Sequence, residues 1–327
     1  MSGNAARLLA ILPALAAAWV PKVAWAQEHH FGEGPLPSPE VLAGVTHGIV
    51  QGSAVFLAGL AAFVALVWLP AGRSAFDGGT PVGDFVRVAW ILFAVLGVVG
   101  MADVGVYAVR ATGEPLSLGL FAEALFGTEV GLVSLARLGL GLLAVLTTAW
   151  AAGGPDPARW WTAAGAGGLL LATLVPESHA VAQGFLPILS VWLHLVAVAF
   201  WTGGLLALPI LLFGPLNALD PEGRAKLRRR TVRRFSQVAV VAVSVVVATG
   251  LYNALLNVSG LAALVGTAYG RALFMKLGMT VLLLVVGGIN YLDKGEGPLG
   301  RMVGLELALA AGIFVAAGFL TSLPPAN

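Results

Sequence analysis

The chain has 327 residues, 58% of them hydrophobic and only 10% charged, with a formal net charge of +2. A soluble domain carries roughly 25% charged residues, so this composition cannot cover a water-facing surface. Cys is absent, which excludes disulfides, thiolate metal sites and thiol catalysis, and leaves Met and His as the donors for a soft metal.

Residues 1–26 read as a secretory signal peptide. Arg7 precedes a short apolar stretch from Leu8 to Val20, and Ala24-Trp25-Ala26 has the small-x-small cleavage pattern. An uncleaved extra helix is the alternative, and in both cases residues 27–42 form a periplasmic segment. Cleavage after Ala26 leaves Gln27-Glu28-His29-His30. A free amine with His in third place wraps Cu(II) or Ni(II) in a square plane; the plainer reading is a polar tail that holds two His.

Apolar runs follow near 43–69, 84–108, 126–151, 160–176, 186–213, 236–257, 270–291 and 302–322. A spanning helix needs about 20 such residues, and these runs are too long for barrel strands. The expected fold is therefore an all-α integral membrane protein with about eight transmembrane helices. With residue 27 outside, the cytoplasmic loops 70–83, 152–159, 214–235 and 292–301 hold 11 of the 18 Arg and Lys, against Arg110 and Arg271 outside. That asymmetry obeys the positive-inside rule and puts both termini, including the tail 323–327, in the periplasm of a bacterial inner membrane. The run from Arg224 to Arg234 reads as an anchor for lipid headgroups, a binding partner being the alternative, and not as a nucleic-acid face.

The third and seventh runs share a pattern. Gly127-Thr128-Glu129-Val130-Gly131 precedes Arg137-Leu138-Gly139, and Gly266-Thr267-Ala268-Tyr269-Gly270 precedes Lys276-Leu277-Gly278. Gly105-Val106-Tyr107 and Gly250-Leu251-Tyr252 agree more loosely. Two four-helix units, 43–176 and 177–322, are expected as parallel pseudo-repeats, chance matching of Gly and Leu being the alternative.

Ionisable side chains within a span are functional candidates. At about 1.5 Å per residue, His194, Met275, Met279, Met101, Asp103 and His47 fall at similar depth towards the outer side, with His179 in the loop above. A His/Met set suits Cu(I), although each Met alone is ordinary packing. Arg137 and Lys276 would repel a cation unless Asp103 or Glu129 neutralised them. The same two cations suit haem propionates, so a b-type haem held by His47 and His194 stands as the alternative. No nucleophile arrangement or zinc-protease motif is present, and no enzyme is expected.

Several motifs run in order through the second half: Ser178-His179-Ala180, His194-Leu195, Trp201-Thr202-Gly203-Gly204-Leu205, Arg233-Arg234-Phe235-Ser236, Thr249-Gly250-Leu251-Tyr252-Asn253, Tyr269-Gly270-Arg271, Lys276-Leu277 and Asn290. Over residues 177–320 the chain resembles the copper resistance protein D family. The resemblance implies copper movement across the inner membrane or copper resistance there, uptake from the periplasm, a copper ion as cargo and a periplasmic copper carrier as partner. His179 and His194 fall on the family pattern; the Met residues do not. Delivery of copper to a periplasmic oxidase is a further alternative.

Overall fold

In lipid a chain satisfies its backbone only by helices or closed barrels, and these apolar runs, punctuated by Pro and Gly, form helices. The computed structural model describes residues 38–73, 75–76, 80–154, 156–292 and 299–323, and no strand occurs among them. The expected signal peptide, His29 and His30 lie outside the described residues.

The helices are α1 (Pro39–Phe63, extended by a π turn Val64–Trp68 and by Leu69–Gly72), α2 (Gly83–Thr112), α3 (Leu118–Gly127) and α4 (Glu129–Ala152). There follow α5 (Ala158–Ala172), α6 (Phe185–Phe213), α7 (Pro221–Asn257), α8 (Leu261–Gly266), α9 (Ala268–Leu292) and α10 (Leu299–Ser322). Seven of them, α1, α2, α4, α6, α7, α9 and α10, are long and apolar enough to cross a bilayer.

The eighth crossing, expected at 160–176, is shorter than the sequence implied. Helix α5 has 15 residues and gives way to 3-10 turns at Val175–Glu177 and His179–Gln183. Pro176 lacks an N–H and disfavours the α conformation at the residue before it. The Arg137 side chain of α4 reaches Thr173, and Trp192 Nε1 of α6 donates to the Gly168 carbonyl at 3.0 Å. Helix α5 thus ends level with Arg137, and irregular backbone completes the passage to α6. Such backbone is tolerated at that depth when protein covers it, and Thr173, Leu174 and Val175 are all buried.

The basic stretch expected as the loop 214–235 is largely helical. Asp220 Oδ1 accepts the Gly223 N–H, Pro221 occupies the first turn, and α7 continues unbroken for 37 residues. Cap, leading Pro and a run of good helix formers favour this extension.

One of those arginines repairs α1. Pro70 has no N–H to give to the carbonyl four residues earlier, Leu66. The helix widens into a π turn there, with Leu69 N–H bonding Val64 O, and Arg234 Nε donates to the Leu66 carbonyl at 2.6 Å.

Helix α1 is the hub and packs along α2, α5, α6 and α10. Its Gly48 lies against the α10 backbone at Phe314 and Val315, and its Gly59 against α6 at Ala199 and Gly203. Small residues at such crossings let membrane helices approach closely. Helices α1, α2, α4 and α5 close into a four-membered group. Helices α6, α7, α9 and α10 form a second, in which α7 lies along α6 and α9 along α10 while α7 and α9 make almost no contact.

Candidate metal centre

Six polar residues lie at one level, each roughly 12–14 Å of helical rise from the same end of the molecule. They are His47 in α1, Asp103 in α2, Arg137 in α4, His194 in α6, Thr249 in α7 and Lys276 in α9. This end is the histidine end; the opposite one, which carries the α7 arginines, is the basic end.

In the first group, His47 Nδ1 is 2.9 Å from Asp103 Oδ1, and the Thr46 hydroxyl donates to the same oxygen at 2.5 Å. Asp103 is only 4% exposed. Sequence reasoning offered Asp103 or Glu129 as the neutraliser of Arg137, and neither fills that role. Glu129 is exposed in the first turn of α4. Arg137, 2% exposed, pairs instead with Glu177 and donates from Nη2 to the Thr173 carbonyl at 2.9 Å and from Nε to its hydroxyl at 3.2 Å. The Glu177–Arg137 pair is near enough to act electrostatically on His47.

In the second group, His194 Nδ1 is 2.9 Å from Thr249 Oγ1, whose proton goes to the Val245 carbonyl at 2.6 Å. The hydroxyl therefore accepts, and the imidazole carries its proton on Nδ1. Gly250 leaves room for the ring, since a Cβ there would stand 3.3 Å from His194 Cε1. Lys276 is close enough to act on the imidazole electrostatically. Both half-buried histidines thus use Nδ1 in a fixed hydrogen bond. That arrangement fixes tautomer and ring orientation and leaves Nε2 as the nitrogen for a metal.

The other candidates are more scattered. His179 Nε2 is 3.2 Å from the Leu323 carbonyl, and the ring lies 5.9 Å from that of Tyr269, so it clasps the end of α10. Met279 turns its sulfur to Gly312 of α10. Met275 packs with Tyr269, Phe319 and Leu320, and Met101 packs among Val104, Ala124 and Leu125. No three His, Asp or Glu side chains converge as a metal site among the described residues. Sequence reasoning missed Glu177, Thr173, Thr46 and Thr249 as partners; only Thr249, inside Thr249-Gly250-Leu251-Tyr252-Asn253, carried a signal.

The matched motifs fold alike locally. Thr128 Oγ1 donates to the Ala124 carbonyl and accepts the Gly131 N–H. Thr267 Oγ1 does the same with Ala263 and Gly270.

Seven apolar spans with a buried polar layer define a multi-pass membrane protein. Residues 229–320 match the sequence model of the family described as copper resistance protein D. Over 161 residues the chain is 35% identical to the copper transport protein CutJ of Bacillus subtilis (strain 168), a match covering 48% of this chain and 29% of that protein. Part of the chain thus resembles the copper resistance protein D family, and the chain spans less than a third of that relative's length. No solved structure matches it.

Proposed function

We propose that this protein moves copper across the bacterial inner membrane, by uptake from the periplasm, through an intramembrane site that contains His194. The family and its copper-named relative support copper as the cargo. The observation that carries the site is the His194 ring, pinned through Nδ1 to Thr249 at 2.9 Å inside the second helix group with Nε2 left over. His47, oriented by Asp103, is the counterpart in the first group.

The matched positions Thr128/Thr267 and Arg137/Lys276 support two parallel four-helix units that arose by duplication. Excess basic residues at the α7 end support that end as cytoplasmic. His179 and the segment holding His29 and His30 then lie on the periplasmic side, where copper first meets the protein. Thioethers join the site only if α9 turns, because Met275 and Met279 pack towards α10.

Copper is favoured over haem on a specific ground. Arg137, one of the two expected propionate partners, is taken by Glu177 and Thr173, and the two histidines hydrogen-bond into different helix groups.

The test is metal analysis of purified protein loaded with Cu(I), together with copper accumulation by a deletion strain carrying each variant. His194→Ala is expected to reduce bound copper at least tenfold and to bring accumulation down to that of the deletion strain, while the protein elutes as folded material. The visible spectrum is expected to lack a Soret band. Unchanged copper stoichiometry in His194→Ala removes His194 from the site, and higher cellular copper in the deletion strain reverses the direction.

A further inference from the structure

A cavity of about 320 Å³ opens between α7 and α9 in the half of the molecule nearer the basic end. That volume is within the range of roughly 300–1,000 Å³ typical of ligand sites. Trp201 and Leu205 of α6, Phe235 of α7 and Val303 of α10 form its buried inner wall. Its mouth, at Val240, Ser244 and Gly288, is exposed on the flank of the bundle. The carboxylate at the floor, Glu306, is 3% exposed and already engaged within the protein. The opening exists because α7 and α9 fail to meet, so it faces the place occupied by lipid tails.

The α7 residues lining the cavity are Val232, Phe235, Ser236, Ala239, Val240, Val243 and Ser244. Spacings of three and four residues make this one stripe of the helix. Continued one turn towards the basic end, the same stripe passes through Arg228 and Arg229. Arg229 is exposed, and Arg228 Nε is buried without a hydrogen-bond partner. From Val232 to Ser244 the stripe rises about 18 Å, close to the depth of one leaflet's acyl region, half of a hydrocarbon core of about 30 Å.

We propose that this cleft is a binding site for an anionic phospholipid of the surrounding membrane, with the headgroup phosphate on Arg228 and Arg229 and one acyl chain lying in the cavity between α7 and α9. An apolar slot of leaflet depth beneath two cations matches that molecule and no water-soluble one. A zwitterionic lipid supplies the same chain without the net negative charge. The site involves no copper, and its upper limit, at Ser244, lies about one and a half turns of α7 below Thr249. Occupancy wedges α7 and α9 apart, so the lipid completes the wall that the protein leaves open.

The experiment uses full-length protein in nonionic detergent, titrated with phosphatidylglycerol or phosphatidylcholine bearing brominated acyl chains. Quenching of Trp201 is read as the difference between wild type and Trp201→Phe. Phosphatidylglycerol is expected to quench at about 25-fold lower concentration than phosphatidylcholine, about fivefold for each arginine, the equivalent of ~1 kcal/mol apiece. The double variant Arg228→Gln/Arg229→Gln is expected to abolish that preference yet keep the quenching. Ala239→Phe, which fills the slot, is expected to remove the Trp201 quenching by both lipids, with Val240→Phe at the mouth used if the first fails to fold. Equal affinity for the two lipids in wild type, a preference that survives in the double variant, or full quenching in a folded slot-filling variant overturns the proposal.

Discussion

Glu177→Ala is expected to lower the stability of the detergent-solubilised protein by about 3–5 kcal/mol, the usual cost of stranding one partner of a buried ion pair. The reason lies in the depth of Arg137, which is 2% exposed and has only Thr173 and Glu177 as partners among the described residues. A guanidinium does not shed its proton to escape burial, so its charge stays where the carboxylate left it. Arg137→Leu alone is expected to cost about as much, because Glu177 Oε2 is already buried without a hydrogen-bond partner and the other oxygen would join it. Replacing both by Leu is expected to recover most of the loss, since an apolar pair of similar volume is often neutral in place of a buried ion pair. Thermal unfolding of the three variants, followed by the folded fraction on size exclusion, gives the comparison. A double variant no better than the worse single one means the pair does more than neutralise itself. A single variant as stable as wild type means Arg137 is hydrated, and the layer is wet.

The pair also bears on mechanism. Glu177 and Arg137 stand beside the His47–Asp103 couple, and in both couples a cationic or protonatable group sits on a carboxylate. The first helix group therefore neutralises its own charges. The second offers a neutral hydroxyl to His194 and places Lys276 near it. The two units, if duplicated, have diverged at the level where the metal is expected: His47 rests on a carboxylate, whereas His194 meets the Thr249 hydroxyl and the Val246 carbonyl, with Lys276 opposing a cation beside it.

How much of this was legible beforehand depends on what kind of information each feature needs. Spans follow from hydropathy, which is local, and seven of the eight expected runs became long helices. The depth of His47, Asp103, Arg137, His194 and Lys276 also follows, because helical rise is constant. Partnership does not follow. Asp103 has the right depth to meet Arg137, yet it faces α1 and takes His47; Arg137 takes Glu177, 40 residues on, because α5 stops short and lets the chain dip. Spacing put Met275 and Met279 on one face without saying which neighbour that face meets, and it meets α10. The arginine run looked like loop because charge outweighs helix propensity in a hydropathy reading. Asp220 and Pro221 are the cap and first turn that mark its true start.

The largest structural effect is expected at Gly59. A Cβ at this position would fall within the backbone of Ala199 and Gly203 on α6, and the reciprocal Cβ at Gly203 would fall on Gly59. Overpacking commonly costs about 1–3 kcal/mol, and more when no side chain can rotate away. Here both obstacles are main chain, so α1 and α6 must separate. Gly59→Val is expected to leave little folded protein, whereas Gly139→Val on α4, where nothing lies within 4 Å of the added carbon, is expected to cost no more than a few tenths of a kcal/mol. Gly59→Ala is the informative intermediate. His47 lies about three turns above Gly59 on α1, and His194 about two and a half turns above Gly203 on α6. Spreading the crossing by even a methyl group moves one histidine relative to the other while leaving each hydrogen bond, His47 to Asp103 and His194 to Thr249, within its own group. If copper binding needs both imidazoles, Gly59→Ala is expected to lose affinity about tenfold or more in whatever folded protein remains. If His194 binds the metal within the second group alone, affinity is expected to match wild type, and measuring copper affinity beside the folded fraction separates the two outcomes.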